Sequence, residues 1–532
     1  MGTYLNPGNS GFARIISSDY VDKTGLIGHL NRTINTTKNL TCISRPRRFG
    51  KSYAAQMLCA YYDKTCDSHE LFNGFRIAQD PMYEKHIGKY DVIYLDMTNL
   101  LGNVKAEDLI RFISENISDE IRQEYPDVEK GKTFDQTLIN CVEHTGNKFV
   151  MIIDEWDAPI RETPQIEQYY LKFLRMLFKS SGTTSKIFAA AYMTGILPIK
   201  KDGSQSAISD FREYSVLDPL EYAEYVGFTE EEVKEQCLKH HKSFDSMKRW
   251  YDGYTVGDCH SIYNPYSVMQ AVSSGKYKSY WKKTSAAETL MTYIDMDQDG
   301  LQDDISRLIA GESIVVDTDS FRNDVESFTC KDDVLTLLIH LGYLTYEEVP
   351  DSYDEDDEQL TGLARIPNEE VRSEFEKILR KAKHKDLIRL VKKSDQLLKD
   401  TIAGNSEAVA KAVQDVHESE YAPTWYNNEQ SLRYVVKMAY ISSVDQYGKV
   451  EELPTGHGIA DVVFVPKRRS TLPAMIVELK WDKSAEGAIK QIKDKNYPKV
   501  LSQFGGELLL VGINYDEVTK IHTCQIEKIM MN

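Results

Sequence analysis

Leu40-Thr-Cys-Ile-Ser-Arg-Pro-Arg-Arg-Phe-Gly-Lys-Ser52 is the stretch that decides the fold of the first half of this chain. A short apolar run is followed by a turn and then by Gly50-Lys-Ser52, which opens an amphipathic helical pattern. This order is the context that a phosphate-binding loop requires, because backbone N–H groups at a helix N-terminus attract anions. In such a loop Lys51 would neutralise phosphate oxygens, and the hydroxyl of Ser52 would bind Mg²⁺. Arg45 stands where the usual pattern has its first glycine, so the loop taken alone leaves the assignment open.

A second buried-strand pattern, Lys148-Phe-Val-Met-Ile-Ile-Asp-Glu155, ends in two adjacent acids about a hundred residues later. It could be a plain strand followed by a helix cap. With the loop upstream, it instead predicts that Asp154 binds Mg²⁺ through water and that Glu155 polarises the attacking water. Further apolar runs at residues 90–96 and 186–195 alternate with helical segments, which predicts a parallel sheet with helices on both faces. Thr194 ends the last run, where a side chain would reach a γ-phosphate.

A different pattern lies near the other end of the chain, where Gly458-Ile-Ala-Asp-Val-Val-Phe-Val465 and Met475-Ile-Val-Glu-Leu-Lys480 form two apolar runs. Period-two alternation places Glu478 and Lys480 on one face of a strand. Asp461 on the neighbouring strand could join Glu478 in binding Mg²⁺, a hard cation that prefers oxygen ligands. Lys480 would then orient a water or stabilise charge on a phosphate.

The alternative interpretation of these two strands is an exposed sheet face with solvated charges. Their surroundings favour the metal site, because Glu429 opens the preceding helical pattern and Gln491 lies on the following one. From residue 421 onward there are 14 Lys and Arg against 13 Asp and Glu, a net charge of +1, which leaves −19 for the rest of the chain. This segment could therefore meet a phosphate backbone although the whole chain carries −18. The basic residues closest to the site in sequence are Lys467, Arg468, Arg469, Lys490, Lys493 and Lys495.

The composition is that of an ordinary globular protein, with 41% hydrophobic and 27% charged residues in a chain of 532. This length predicts three or four units. No apolar run approaches the roughly 20 residues of a membrane span, and a basic-then-apolar signal segment is missing, so we expect no membrane partner and a cytoplasmic location. The 8 cysteines form no Cys-x-x-Cys pair, which argues against a structural zinc site or a disulfide framework.

Two families resemble parts of this chain. The loop at residues 45–52 resembles that of a bacterial AAA-ATPase-like family of P-loop ATPases, in which an arginine normally replaces the first glycine. Residues 20–24, 227–233, 250–254 and 263–267 match the same family. The last hundred residues resemble the PD-(D/E)xK nuclease superfamily, in the variant found at the C-terminus of that ATPase family. Ala460 replaces the proline of the superfamily motif.

These patterns and resemblances predict an α/β fold class with four domains. We expect a P-loop ATPase core with a parallel sheet at 1–214 and a helical lid at 215–285. A winged-helix-like region with a helical connector would occupy 286–418, and an α/β restriction-endonuclease-like domain 419–532. The expected wing at residues 351–358 is acidic and would repel phosphate, so an intramolecular or protein contact is favoured there over DNA binding.

The expected cofactors are ATP and Mg²⁺. Metal ligands would be Ser52 and Asp154 in the ATPase, and Asp461 and Glu478 in the nuclease. Beside Glu155, the resemblance assigns catalytic or assisting roles to Asp461, Glu478, Lys480, Glu429 and Gln491. The arginines of the loop are expected to contact phosphates or another subunit. The residues expected to bind the nucleotide are Tyr20, Arg45, Arg47, Arg48, Phe49, Gly50, Lys51, Ser52, Tyr53, Asp154, Thr194 and Pro265.

Together these features predict an ATP-binding and ATP-hydrolysing protein coupled to a Mg²⁺-dependent nuclease that hydrolyses DNA or RNA phosphodiesters. Its partners would be ATP and nucleic acid, DNA rather than RNA. The chain could also assemble into a homo-oligomer. Another function is also consistent with the sequence: a nucleotide-dependent switch or scaffold whose nuclease-like domain binds nucleic acid or a partner without cleavage. A third is ATP binding without turnover.

Overall fold

The structure, a computed structural model, describes residues 2–179, 181–199, 201–202, 205–206, 208, 210–281, 301–319, 321, 330–348, 361–381, 385–418, 429–440, 447–455, 458–466, 472–495 and 506–531. The chain forms two compact units. The first comprises Met1–Lys282 and Val315–Glu370, and the second comprises Lys283–Ile314 and Val371–Asn532. The boundaries of the four predicted domains stay predictions. The acidic stretch 351–358 and the basic residues Lys467, Arg468 and Arg469 lie outside the described residues.

The first unit is built around a five-stranded sheet in which every strand pairs in parallel with its neighbours. Four of its five strands are nearly continuous apolar runs, as expected for strands with both faces covered, whereas the edge strand Arg212–Tyr214 is mostly polar. At the carboxyl end of the sheet, Asp154 pairs with Asp96 of one neighbouring strand and with Thr194 of the other, so the ends of three strands meet there. The spatial order is β2-β3-β4-β1-β7, where the strands are β1 (Leu40–Ser44), β2 (Asp91–Asp96), β3 (Phe149–Asp154), β4 (Phe188–Gly195) and β7 (Arg212–Tyr214). A short antiparallel pair, β5 (Lys201–Asp202) and β6 (Gln205–Ser206), precedes the last strand.

Eleven helices among the described residues accompany these strands. They bury apolar side chains at helical spacing, as Leu109, Ile113, Ile117 and Ile121 do, and each such side chain contributes roughly 1.5–3 kcal/mol when fully buried. The helices are α1 (Ser10–Ile16), α2 (Gly25–Thr33), α3 (Lys51–Tyr62), α4 (His69–Phe72), α5 (Tyr83–His86), α6 (Met97–Asn103), α7 (Leu109–Glu124), α8 (Phe134–Thr145), α9 (Ala158–Glu162), α10 (Glu167–Phe178) and α11 (Ser181–Ile187). The predicted α/β sheet is confirmed.

The predicted helical lid contains three helices and, in addition, a hairpin. The helices are α12 (Glu230–Lys239), α13 (Phe244–Tyr251) and α14 (Pro265–Ser274), and the hairpin joins β8 (Tyr254–Val256) to β9 (Cys259–Ile262). Gly253 and Gly257 adopt positive φ values of 112° and 56° beside the first hairpin strand, which glycine does without a steric penalty. The described part of the region predicted as a helical lid therefore contains a hairpin besides its helices.

A capping box begins α12. The Oγ1 of Thr229 accepts from the N–H of Glu232 at 3.4 Å, and the Glu232 carboxylate accepts from the N–H of Thr229 at 2.8 Å. We expect Thr229→Ala to destabilise this helix by about 1 kcal/mol. Hydrogen exchange of the α12 amides should then accelerate by roughly fivefold, as followed by mass spectrometry. Thr229→Ser keeps the acceptor and should exchange as the wild type does. Unchanged exchange in the alanine variant would contradict the role of the cap.

Further along the chain come α15 (Leu301–Ala310), β10 (Ile314–Asp317), α16 (Lys331–Leu341), β11 (Thr345–Glu348) and β12 (Thr361–Arg365). The strands form a three-stranded sheet in the order β10-β12-β11, with β11 and β12 antiparallel. The winged-helix-like order of helix, strand and strand is thus present. Gly342 at φ +83° ends α16 in a left-handed cap before β11 begins. The helix α17 (Glu369–Lys381) follows.

The second unit contains a mixed five-stranded sheet in the order β13-β14-β15-β16-β17. The strands β15 and β16 are parallel, and the other neighbours are antiparallel. Apolar side chains of the sheet and of the last helix form a core that includes Val463, Ile476, Ile489 and Leu508. The strands are β13 (Tyr447–Thr455), β14 (Gly458–Pro466), β15 (Ala474–Trp481), β16 (Gly506–Asp516) and β17 (Ile521–Met531). Helices of this part of the chain are α18 (Lys385–Ala403), α19 (Ser406–His417), α20 (Glu429–Ala439) and α21 (Ala485–Asp494).

No helix among the described residues combines the length and the apolar character that crossing a membrane requires.

Candidate active sites

The loop between β1 and α3 holds a lysine at the N-terminus of the helix. Gly50 is the N-cap of α3 with φ +96°, and because an added Cβ would meet no atom within 4 Å, the conformation rather than the space favours glycine. The Lys51 side chain is buried, and its Nζ donates to the carbonyl oxygens of Arg45 and Pro46 at 3.1 Å each. The loop therefore places a cationic side chain at the N-terminus of a helix, where backbone N–H groups can attract an anion.

Asp154 lies at the end of β3 and is almost completely buried. Burial is the largest cause that raises the pKa of its carboxyl to about 7, and a hydrogen bond with Ser52 opposes this shift. Its Oδ1 is buried and has no hydrogen-bond partner within the described residues. A buried carboxylate oxygen without a partner is unfavourable unless a cation or donor joins it, so Ser52 and Asp154 fit a Mg²⁺ ion.

Glu155 follows directly and has a left-handed backbone conformation with φ +52°. Its carboxylate lies 3.5 Å from Lys51 Nζ and 3.2 Å from an Nη of Arg161. Arg161 also donates through Nε to Asp157 at 2.8 Å, and Asp157 accepts from backbone N–H groups that follow β4. Sequence reasoning missed Arg161. The signal for it was its position four residues after Asp157, at the spacing of a helical ion pair.

The structure gives the Arg45 side chain a different role from the predicted phosphate contact. This guanidinium is fully buried, and burial lowers its pKa to about 10. It donates at 2.8–3.2 Å to the carbonyl oxygens of Ser44, Tyr214, Ser215 and Tyr222. Arg45 therefore replaces the usual glycine with a side chain that ties β1 to the segment following β7.

The other two arginines of the loop lie near the lid. Arg48 has φ +71°, donates to the carbonyl oxygen of Tyr280 at 2.7 Å and lies 4.5 Å from the centre of the Tyr266 ring. Arg47 is half-buried, and its carbonyl oxygen accepts from the side-chain amide of Asn264, the N-cap of α14, at 3.3 Å. Both contacts connect the loop to lid residues within the first unit.

A cavity of about 510 Å³ lies between the loop, the segment before α2, and the lid. This volume is typical of a small-molecule site. Tyr20 and Pro265, both predicted near a nucleobase, line it at positions far apart in sequence. Asp154, Thr194, Arg45 and Arg47 are not among its lining residues. The other predicted residues that line it are Arg48, Phe49, Gly50, Lys51, Ser52, Tyr53 and Glu155.

The second site lies in the other unit, where β14 and β15 pair in antiparallel fashion. Asp461 is buried, and its Oδ2 accepts from the N–H of Leu479 at 2.9 Å. The Oε1 of Glu478 accepts from Lys480 Nζ at 3.0 Å and from the side-chain amide of Gln491. The structure therefore brings together four residues that the sequence singled out. Glu429 begins α20, but its side chain lies outside the described residues.

The electrostatics of this second site fit a divalent cation. Glu478 is almost completely buried, and burial, followed by the charge of Asp461, raises the pKa of its carboxyl to about 7, against the opposing charges of Lys480 and Lys495. Its Oε2 has no hydrogen-bond partner within the described residues. The described residues contain no group of three or more His, Cys, Asp and Glu placed to hold a metal. Backbone carbonyls, water and phosphate oxygens are further groups that could complete the coordination of a cation here.

Arg433 is the residue of this site that sequence reasoning missed. It lies on α20, and one of its terminal nitrogens is 2.7 Å from Asp461 Oδ1. The available signal was its position one helical turn after Glu429, because residues four apart share a helix face.

The raised pKa predicts a pH dependence of metal binding. Glu478 is mostly protonated below about pH 7 and must lose this proton before it binds a metal ion. We expect the affinity for Mn²⁺ to weaken as the pH falls through 7, approaching about tenfold per pH unit. Calorimetric titrations at several pH values, in buffers of different ionisation enthalpy, would measure the affinity and the proton released. Glu478→Gln should bind weakly without this dependence, and a constant wild-type affinity across the range would contradict the assignment.

The first unit has the fold of a P-loop ATPase, and the second contains a mixed α/β sheet of nuclease type. Residues 7–204 match the family model described as Predicted AAA-ATPase. Residues 427–524 match that of the PD-(D/E)XK nuclease superfamily. The resemblances predicted from the sequence are thereby confirmed for these two segments, which imply, in general, the use of a nucleotide and of a divalent metal ion.

Solved structures with low identity are also similar to this chain. One is the ORC2 protein of Aeropyrum pernix in ADPNP-ADP complexes, with 12% identity and a TM-score of 0.32, covering 68% of this chain and 96% of that one. Another is the ORC1 protein of Aeropyrum pernix in complex with DNA, with 9% identity and a TM-score of 0.23, covering 85% and 91%. Among curated proteins, none matches the sequence.

Proposed function

We propose that this protein binds and hydrolyses ATP and that its second unit is a Mg²⁺-dependent nuclease acting on nucleic-acid phosphodiesters, DNA rather than RNA. The observation that carries the proposal is the buried cluster of Asp461, Glu478 and Lys480 on adjacent strands. Burying two acids and a lysine costs desolvation free energy, and such clusters are concentrated at functional sites. It lies in the segment that matches a nuclease superfamily.

In the nuclease site each residue has a distinct proposed role. Asp461 and Glu478 would hold the metal ion, and Gln491 would fix the Glu478 carboxylate through its side-chain amide. The metal supplies Lewis acidity and a water of lowered pKa. Lys480 would stabilise negative charge that develops on the phosphate, as its ammonium group is held within the site by Glu478. Glu429 would assist from the start of α20.

In the ATPase site, Lys51 would neutralise the β- and γ-phosphates, while Ser52 and Asp154 would hold Mg²⁺. Glu155 would polarise the attacking water. The cavity wall at Tyr20 and Pro265 would hold the nucleobase.

Supporting residues complete the nucleotide site that we propose. Thr194 would reach the γ-phosphate from the end of β4, and Arg47 and Arg48 would approach the phosphates or a second copy of the chain. Phe49, Gly50 and Tyr53 line the cavity beside the loop and would shape the phosphate end of the site.

The test uses the purified full-length chain with labelled single-stranded DNA, duplex DNA with and without ends, and RNA. We expect cleavage that requires Mg²⁺ or Mn²⁺ and stops with EDTA, together with phosphate release from ATP. We also propose that the nucleotide state licenses cleavage, so each substrate should be tested with ATP, with a non-hydrolysable analogue and without nucleotide. If the protein binds nucleotide and nucleic acid but cleaves none of these substrates, the nuclease proposal is replaced by that of a nucleotide-dependent switch or scaffold. Self-association stays a prediction. Light scattering with and without ATP would test it by measuring the molar mass of the protein in solution.

A further inference from the structure

The contact between Arg433 and Asp461 has no counterpart among the residues predicted from sequence. Arg433 projects from α20, and its side chain and that of Asp461 are only 16% and 10% exposed. The 2.7 Å separation between a guanidinium nitrogen and Oδ1 is that of a charge-assisted hydrogen bond. Such a bond in a sheltered setting is stronger than a surface ion pair.

Arg433 contacts an acid that the metal would need. Of the two Asp461 oxygens, Oδ2 accepts from the backbone N–H of Leu479, and Oδ1 accepts from Arg433. Glu478 differs, because Lys480 and Gln491 both donate to its Oε1, and its Oε2 is buried without a partner within the described residues. A cation that enters between the two carboxylates therefore meets an open oxygen on Glu478 and the guanidinium on Asp461.

The charges of the site give this contact a second consequence. Asp461 and Glu478 each have a cationic side chain beside them without a metal, Arg433 and Lys480 respectively. A divalent cation adds further positive charge to this arrangement. Phosphodiester oxygens supply the missing negative charge, and a guanidinium matches phosphate geometry.

We propose that Arg433 is a stand-in cation: it neutralises Asp461 in the metal-free protein, yields that carboxylate when a divalent cation binds, and then contacts a phosphate oxygen of the nucleic acid. This inference rests on the proposed nuclease function. It differs from a purely structural role in one measurable respect. If Arg433 only tied α20 to the sheet, its removal would loosen the ligands and weaken metal binding and cleavage together. A stand-in cation competes with the metal, so its removal strengthens metal binding while it weakens cleavage.

The experiment compares Arg433→Gln, Arg433→Lys and the wild type as full-length proteins. Calorimetry would measure Mn²⁺ binding without nucleic acid, and a DNA assay would measure cleavage at saturating Mn²⁺. We expect Arg433→Gln to bind Mn²⁺ about five- to tenfold more tightly, because a competing ion pair is removed. Its cleavage should fall by about a hundredfold or more, because a phosphate contact is lost in the transition state. Arg433→Lys should return both values toward the wild type.

Two further variants separate this inference from its foundation. Lys411→Gln removes an exposed positive charge on α19 in the same unit and should leave Mn²⁺ affinity unchanged. Asp461→Ala should abolish tight binding. If the wild type binds Mn²⁺ and this binding requires Asp461, but Arg433→Gln binds Mn²⁺ as tightly as the wild type or more weakly, only the stand-in role is overturned. If the wild type binds no Mn²⁺, both the nuclease site and this inference are overturned. The same holds if Asp461→Ala binds Mn²⁺ as tightly as the wild type does.

Discussion

Lys480→Ala is expected to reduce metal-dependent cleavage by about a thousandfold, the effect of removing one preorganised group that stabilises charge in a transition state. The Lys480 ammonium is buried, lies 3.0 Å from Glu478 Oε1 and also donates to the carbonyl oxygen of Leu479 at 2.9 Å. These contacts fix it beside the proposed metal ligands but do not make it a ligand. Mn²⁺ binding should therefore persist in the variant while single-turnover cleavage of labelled DNA is lost.

The control for this prediction is Lys483→Ala, which removes the same charge from an exposed position three residues later. That variant should cleave at nearly the wild-type rate, and Lys480→Arg should retain part of the activity. If Lys480→Ala cleaves DNA at the wild-type rate, another group stabilises the charge on the phosphate, and Arg433 would be the first residue to test.

The strands that hold both sites could be predicted because buried strands leave a direct trace in sequence. Phe149–Asp154 is an apolar run closed by acids, and it forms a fully buried strand with the acids at its carboxyl end. Alternation in β15 placed Glu478 and Lys480 on one face, and in the structure they are hydrogen-bonded. Gln491, which was predicted to lie on the following helix, is on α21 and contacts Glu478.

What could not be predicted depends on pairs that lie far apart along the chain. The four carbonyl oxygens that surround the Arg45 side chain include three from residues about 170 positions later, which no local pattern reveals. Arg433 reaches Asp461 across 28 residues. The strand β16 extends to Asp516 because its end pairs with Ile521 of β17, although the apolar run stops at Ile513. Arginines are difficult to assign from sequence for this reason: their long side chains find partners that the fold supplies.

Glu155→Gln is expected to reduce steady-state ATP hydrolysis by about a hundredfold or more, the usual contribution of a positioned general base. The amide keeps the size of the side chain but removes its charge, so it cannot take a proton from water. Nucleotide affinity should stay the same or rise, because Glu155 lies 3.5 Å from Lys51 Nζ and competes with phosphate for it. Phosphate release at saturating ATP, and titration with a fluorescent ATP analogue, measure the two quantities.

Glu162→Gln is the matched control, since Glu162 is half-exposed and contacts the same arginine, Arg161, at 3.7 Å. It should hydrolyse ATP normally, whereas Lys51→Ala should lose nucleotide binding itself. Wild-type protein that binds ATP and releases no phosphate would establish binding without turnover, and equal turnover in Glu155→Gln would assign the base elsewhere. The same variant tests coupling to the nuclease, because it holds the protein in its ATP-bound state. If that state licenses cleavage, Glu155→Gln with ATP should cleave DNA at the rate that a non-hydrolysable analogue supports in the wild type. A rate equal to that without nucleotide would separate the two activities.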